Sequence, residues 1–417
     1  MKSNIKNERN SDYLMLKEDI SIPIYPTKKI IDIKAQKKYN TILQIAYPLC
    51  VALREEKLIP WIYENYMKIC GFEAKHDRYG MNYDIYIYDN LCYAKTDFID
   101  NRILNYSYID LNTINSINNI NDLIYRKISD DFNIIVLLDE YYIKGRDAFQ
   151  SFHSRHEFLI YGYDLEDELF YLVGFYDKIF TKFTITFESF YLGLASKDGF
   201  NNELSWLYDR VMMFAKPVKP VEEYPFDIKI FSDKLNHYID GTHDEKDTYY
   251  INLLLDDSEK KMYYGINVYL VLDNYLKDLT QRIYLIDDED LKHALYFISD
   301  RYKMFHCFME YKKGLLERLY YLVEQFKVSE EYILCVTRYS EIVDVFASLC
   351  NKYIKLTLRL KDYPYANFRK YFSDIMNEIK EVSNSCYMKE KVILKEIYHY
   401  IYNFNNSKVC GSEKTDV

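Results

Sequence analysis

The spacing of hydrophobic and polar positions changes period several times along the chain, and each change marks an element. Ile134 to Leu138 is apolar without alternation, the pattern of a strand covered on both faces. Phe158 to Tyr163 and Leu169 to Val173 follow as a second and third run, joined by the acidic turn Asp164-Leu165-Glu166-Asp167, and this predicts a hairpin. Phe180 to Phe187 alternates like another strand, and Glu188 to Leu194 turns helical. Upstream, a helix is expected within Tyr39 to Leu53, with Pro48 in its first turn, where a missing N–H costs nothing. Helical spacing through Ile59, Ile62, Tyr63, Tyr66 and Ile69 predicts a helix from Leu58 to Cys70, stopped by Gly71. Tyr83 to Tyr88 alternates as a strand, and the polar run Asn112 to Asn121 leads into a short helix at Leu123 to Ile128. Asn202 to Phe214 is amphipathic.

Three prolines (Pro217, Pro220 and Pro225) make Lys216 to Pro225 the clearest linker. Beyond it, Phe226 to Phe231 and Tyr249 to Leu255 have the spacing of strands, with a charged loop at His237 to Asp247 whose His243–Asp244 pair is a weak alternative site. From Asn267 onward helices dominate. Phe305, Met309, Leu316, Leu319, Val323 and Phe326 recur at helical spacing, with Lys312 interrupting the seam, and Cys335, Ile342, Val345, Leu349 and Tyr353 repeat the pattern. The expected fold class is α+β: an N-terminal domain with a central antiparallel sheet, then a mainly α-helical domain. In residue numbers this gives an arm at 1–38, the sheet domain at 39–215, the linker at 216–225, the helical domain at 226–403 and a disordered tail at 404–417.

Composition then narrows the function. A length of 417 residues with 49% hydrophobic positions supports two cored domains. A net charge of −10 argues against a nucleic-acid surface, which needs clustered Lys and Arg. No apolar run reaches the roughly 18 residues of a membrane helix, and the start lacks the apolar core of a secretory signal. The cysteines are scattered without a CxxC pair, which fits a reduced, cytoplasmic protein and argues against a thiol-bound zinc. The spacing of His153 and His156 is also that of a helical metal pair, but no further ligand completes a set, so neither a metal nor a cofactor is expected.

The candidate chemistry lies between the first and second strands, where Tyr141 to Arg155 is rich in tyrosine, charge and histidine and His156 stands at a strand mouth. DEYYIKGRDAFQ followed by HSRHEFLIYGYD resembles the N-terminal domain of butirosin biosynthesis protein H and its relatives, a papain-like family. The resemblance is clearest over 134–195 and thinner over 40–133, with a weaker echo at Ser299 to Leu322. It implies a papain-like N-terminal domain in which Cys50 is the nucleophile, His156 the general base and Gln44, six residues before Cys50, the oxyanion donor.

An acidic residue is expected on the strand after the histidine strand. Gly174 stands near that place, leaving Asp177 as the substitute and Asp164 second, although Asp164 reads equally well as a turn residue. Tyr141, Tyr142, His153 and Asp164 are the substrate-binding candidates. Lys144, Arg146 and Arg155 would form a basic patch for an acidic partner, while Asp139 and Glu140 could instead bond Arg146 or Arg155. The implied activity is transfer of an acyl group from a carrier-protein phosphopantetheine thioester to a small amine acceptor. The alternatives are a non-catalytic scaffold in such a pathway and, more weakly, a cysteine peptidase. Cys50 also reads as a packed core thiol.

Overall fold

The computed structural model describes residues 25–65, 68–75, 81–88, 103–109, 120–196, 198, 212–220, 222–243, 260–285, 298, 301–359 and 365–412. In chain order the elements begin with β1 (Lys28–Ile30), α1 (Leu43–Ala52), α2 (Ile59–Asn65), β2 (Lys68–Lys75), β3 (Met81–Tyr88) and β4 (Leu104–Ile109). There follow α3 (Ile120–Ser129), β5 (Asn133–Asp139), β6 (Arg155–Asp164), β7 (Leu169–Tyr176), β8 (Ile179–Thr186), α4 (Phe187–Ala195) and β9 (Met212–Pro217). The rest is α5 (Ile228–Asp240), β10 (Lys261–Tyr264), α6 (Val268–Arg282), α7 (Tyr302–Gln325), α8 (Glu330–Arg359) and α9 (Tyr365–Ser412). The protein is mixed α+β, with an antiparallel sheet and a helical C-terminal region. Among the described residues no helix is long and apolar enough to cross a membrane.

The chain forms two compact units, and neither is continuous. The first is Met1–Ala35 with Asn105–Lys216; the second is Gln36–Leu104 with Pro217–Val417. This differs from the linear division expected at the proline-rich segment: residues 39–104 belong with the C-terminal helices, not with the sheet domain. The second crossing does fall at the start of that segment, although Lys216 and Pro217 themselves lie in β9.

The first unit is built on a sheet of order β4-β9-β5-β6-β7-β8, with β1 added to β6. All seven residues of β5 are buried, as its unbroken apolar run requires. β6 pairs with it from Ile134 opposite Ile160 to Asp139 opposite Arg155. The acidic turn joins β6 to β7 as expected. Asp164 starts that turn, accepting from the amides of Glu166 (3.1 Å) and Asp167 (3.2 Å). Its carboxylate also pairs with Lys28 Nζ at 2.7 Å. The next hairpin turns on Asp177 and Lys178, whose φ values of 46° and 66° are left-handed at both positions, as a two-residue turn between twisted strands demands.

The second unit contains α1 and packs α5 to α9 with α2 and the sheet β10-β2-β3. Helix α2 ends at Asn65, and Ile69, Cys70 and Gly71 lie in β2 rather than in a continued helix. The segment from 226 is also not a strand: Asp227 caps α5, its Oδ1 accepting from the amides of Lys229 (2.8 Å) and Ile230 (3.2 Å). The expected strand at Tyr249 to Leu255 and most of the amphipathic stretch 202–214 lie outside the described residues; Met212 to Phe214 are in β9. Helix α9 runs on through Ser412, so residues 404–412 are helical where a disordered tail was expected.

Lys312, which broke the apolar seam of α7, is fully buried beside an equally buried Glu390 of α9. The Glu390 carboxylate also accepts from the hydroxyls of Tyr238 (2.8 Å) and Tyr269 (2.7 Å). The ammonium lies over the rings of Phe308 (4.0 Å) and Tyr269 (4.4 Å).

Candidate functional site

Strand β5 ends at Asp139, and the chain then makes one tight turn at Glu140–Tyr142 before the long loop back to β6. Asp139 organises that return. Its Oδ1 accepts from the amides of Tyr141 (3.1 Å) and Ser154 (3.2 Å). Its Oδ2 faces His153 Nδ1 at 2.7 Å and the hydroxyl of Ser196 at 2.6 Å. Ser196 comes within reach because α4 lies close against β5: a Cβ on Gly193 would meet the Asp139 carbonyl at 3.3 Å.

Burial works to raise the pKa of Asp139, but the bonds from Ser196, His153 and the two amides outweigh it and hold the carboxyl below its ordinary value. An ionised carboxylate only accepts, so Nδ1 of His153 donates to Asp139 and Nε2 stands on the other side of the ring. The His153 side chain is 33% exposed. The ring of Tyr141 stacks on the imidazole at 4.3 Å and 22°, and Tyr142 stands edge-on to Tyr141 at 5.1 Å. Asp198 Oδ2 lies 3.8 Å from Nε2, beyond a hydrogen bond. A histidine oriented by a buried carboxylate, with the other nitrogen reachable, is the arrangement of a general base.

Three of the four substrate-binding candidates, Tyr141, Tyr142 and His153, therefore come together. Asp164 stands apart from them, spent on its turn and on Lys28.

His156 is placed differently from the expected role. Its Nδ1 lies 3.0 Å from the backbone N of Glu157 and 3.0 Å from Glu157 Oε2. Burial lowers its pKa, but the Glu157 carboxylate, with the charge of Glu140, raises it overall. A raised pKa leaves less of the neutral imidazole that a general base needs. Asp177, its expected orienting partner, is an exposed hairpin-turn residue whose amide donates to the carbonyl of Gly145 at 2.9 Å.

Cys50 and Gln44 belong to the second unit, whereas the histidines belong to the first. The helix carrying them starts at Leu43, so Pro48 is internal and Cys50 stands in the last turn, at the negative end of the dipole rather than the positive one. Cys50 is fully buried. Six residues of one α-helix place Gln44 about 9 Å along the axis from Cys50 and on another face, so the two do not share one carbonyl as nucleophile and oxyanion donor must.

Ile42 has no side chain with which to cap that helix. Glu310 of α7 accepts from the amide of Asn40 (2.9 Å) instead, and Thr41 Oγ1 lies 2.7 Å from His306 Nδ1.

The basic patch is also reduced. Arg155 is 5% exposed and lies opposite Asp139 in the ladder. Arg146 donates to Glu140 through Nε at 2.8 Å and to the Phe175 carbonyl at 2.7 Å. That leaves Lys144 as the exposed member of the three. Among the described residues no group of three or more His, Cys, Asp or Glu could hold a metal ion.

The sequence reading placed Asp139 as a loop-fixing charge and missed its bond to His153. The available signal was an acidic residue at the end of a fully apolar strand, returning to a histidine 14 positions on. The sequence matches no protein-family model and none of the curated proteins.

Proposed function

We propose that this protein is an acyltransferase that uses His153, oriented by Asp139, as general base. The observation that carries this reading is the 2.7 Å bond from His153 Nδ1 to a buried carboxylate held by four donors. The substrate class comes from the resemblance to the butirosin protein H family: a carrier-bound acyl thioester as donor and a small amine as acceptor. Nε2 removes the amine proton as the nitrogen attacks the thioester carbonyl. The C–S bond then breaks, and the imidazolium returns its proton to the departing thiolate. The products are an amide and a free thiol, with no acyl group passing through the protein. A positioned base of this kind contributes about 10²–10⁴-fold.

Turnover of a small acyl thioester with an amine acceptor tests it. His153→Ala is expected to lower kcat by about 10²-fold or more, and Asp139→Asn to lower it with the fold intact. Cys50→Ser is expected to leave the rate unchanged, with no acyl-protein adduct by mass spectrometry. An adduct on Cys50, or full activity without His153, refutes the reading.

The burial of Cys50 favours a second reading, a non-catalytic binding protein on the same papain-like plan. Binding of an acylated carrier protein without any turnover would support it.

A further inference from the structure

Helix α8 turns three cations, Lys352, Lys355 and Arg359, onto one face at spacings of three and four residues. They line a groove of about 390 Å³ closed on its other side by Tyr371 and Ile375 of α9, with Leu356 in its wall. Leu356 is buried, while Lys355 and Arg359 are exposed. Among the described residues no carboxylate lines the groove, and Glu378 of α9 pairs with Lys352. Like charges at this spacing repel each other along a helix, and in a chain of net charge −10 such a cluster stands against the general balance. The size falls in the range of small-molecule sites.

We propose that this groove binds a small phosphate ester. Arg359 and Lys355 would take the phosphate, an arginine fork matching its oxygens and an ammonium adding a point charge. The apolar or aromatic body of the ligand would lie against Leu356, Ile375 and the Tyr371 ring. The groove lies within the second unit and does not depend on the acyl-transfer reading. Cations in a last helical turn also complement the helix dipole, so the experiment must separate binding from stability.

Calorimetric titration of the full chain with phenyl phosphate is the test, with inorganic phosphate and benzoate as part-ligands. Phenyl phosphate is expected to bind more tightly than either part, and less tightly as salt rises. The Lys355→Gln/Arg359→Gln pair is expected to weaken it at least about tenfold, with an unchanged circular dichroism spectrum. Tyr371→Ala is expected to reduce the advantage over inorganic phosphate. The proposal is overturned by no saturable heat up to about 10 mM, by unchanged affinity in the double variant, or by benzoate binding as well as phenyl phosphate.

Discussion

Lys312 and Glu390 form an ion pair with neither side chain exposed to solvent, in the middle of the helical unit. Burial lowers the lysine pKa and the facing carboxylate opposes that fall. Removing one partner leaves a buried charge without its counter-charge. Lys312→Met is therefore expected to destabilise the fold by about 3–5 kcal/mol in denaturant melts. Adding Glu390→Leu should cost less than the sum of the single changes, with coupling of about 0.5–3 kcal/mol. Additive losses would show that the two groups do not act as a pair.

The raised pKa of His156 predicts a pH dependence of definite sign. Because the folded value lies above the unfolded one, its contribution to stability is complete below the unfolded pKa of about 6.5 and fades as pH rises through the folded value. Glu157→Gln should bring the His156 titration, followed by ring-proton NMR, down toward the ordinary value. A titration unmoved by that change would mean that Glu157 is not the cause.

Asp139 has the opposite sign. Its folded pKa is depressed, so its contribution is present above the unfolded value of about 3.9 and is lost as pH falls through the folded one. Asp139→Asn should flatten the acid limb of the stability curve. An acid limb unchanged in the variant would place the responsible carboxylates elsewhere.

Gly314 lies on α7 directly beneath Tyr39, where a Cβ would stand 1.4 Å from the tyrosine oxygen. That hydroxyl accepts from Arg318 Nη1 at 2.8 Å, and Arg318 Nε also reaches the Tyr63 carbonyl at 3.1 Å. Gly314→Ala should displace Tyr39 and cost about 1–3 kcal/mol. Combining it with Tyr39→Ala should recover much of that loss. A neutral Gly314→Ala would show that Tyr39 is not packed there.

Much of the sheet unit was legible because its signals are local. Ile134 to Leu138, the acidic turn after Asp164 and the alternating Phe180 to Phe187 each announce themselves within a few residues, and β5, β6, β7 and β8 follow them. Where local signals overlapped, the wrong one prevailed. Ile69 continued the helical spacing of Ile62 and Tyr66 by coincidence, yet it lies in β2. Phe226 to Phe231 alternates like a strand, but Asp227 supplies the cap that starts α5, whose buried face is Phe231, Leu235, Tyr238 and Ile239. The site was legible as a region rather than as roles. Glu140 does bond Arg146, one of the charge pairs expected in the loop. Which histidine meets Asp139 depends on where the loop lays His153, and no local pattern encodes that.

The discontinuity of the helical unit governs when it can form. Strand β10 pairs with β2 across 190 residues, as the bond from Tyr263 to Glu73 spans. At about 5–20 residues per second on a ribosome, β2 emerges roughly ten to forty seconds before its partner. In that interval all of Asn105–Lys216 is synthesised. The sheet unit can therefore fold while α1, α2 and β2 are still waiting, their apolar faces open to chaperones. The helical unit closes only when its C-terminal helices appear, so its yield in the cell should be sensitive to translation speed between Leu104 and Lys261.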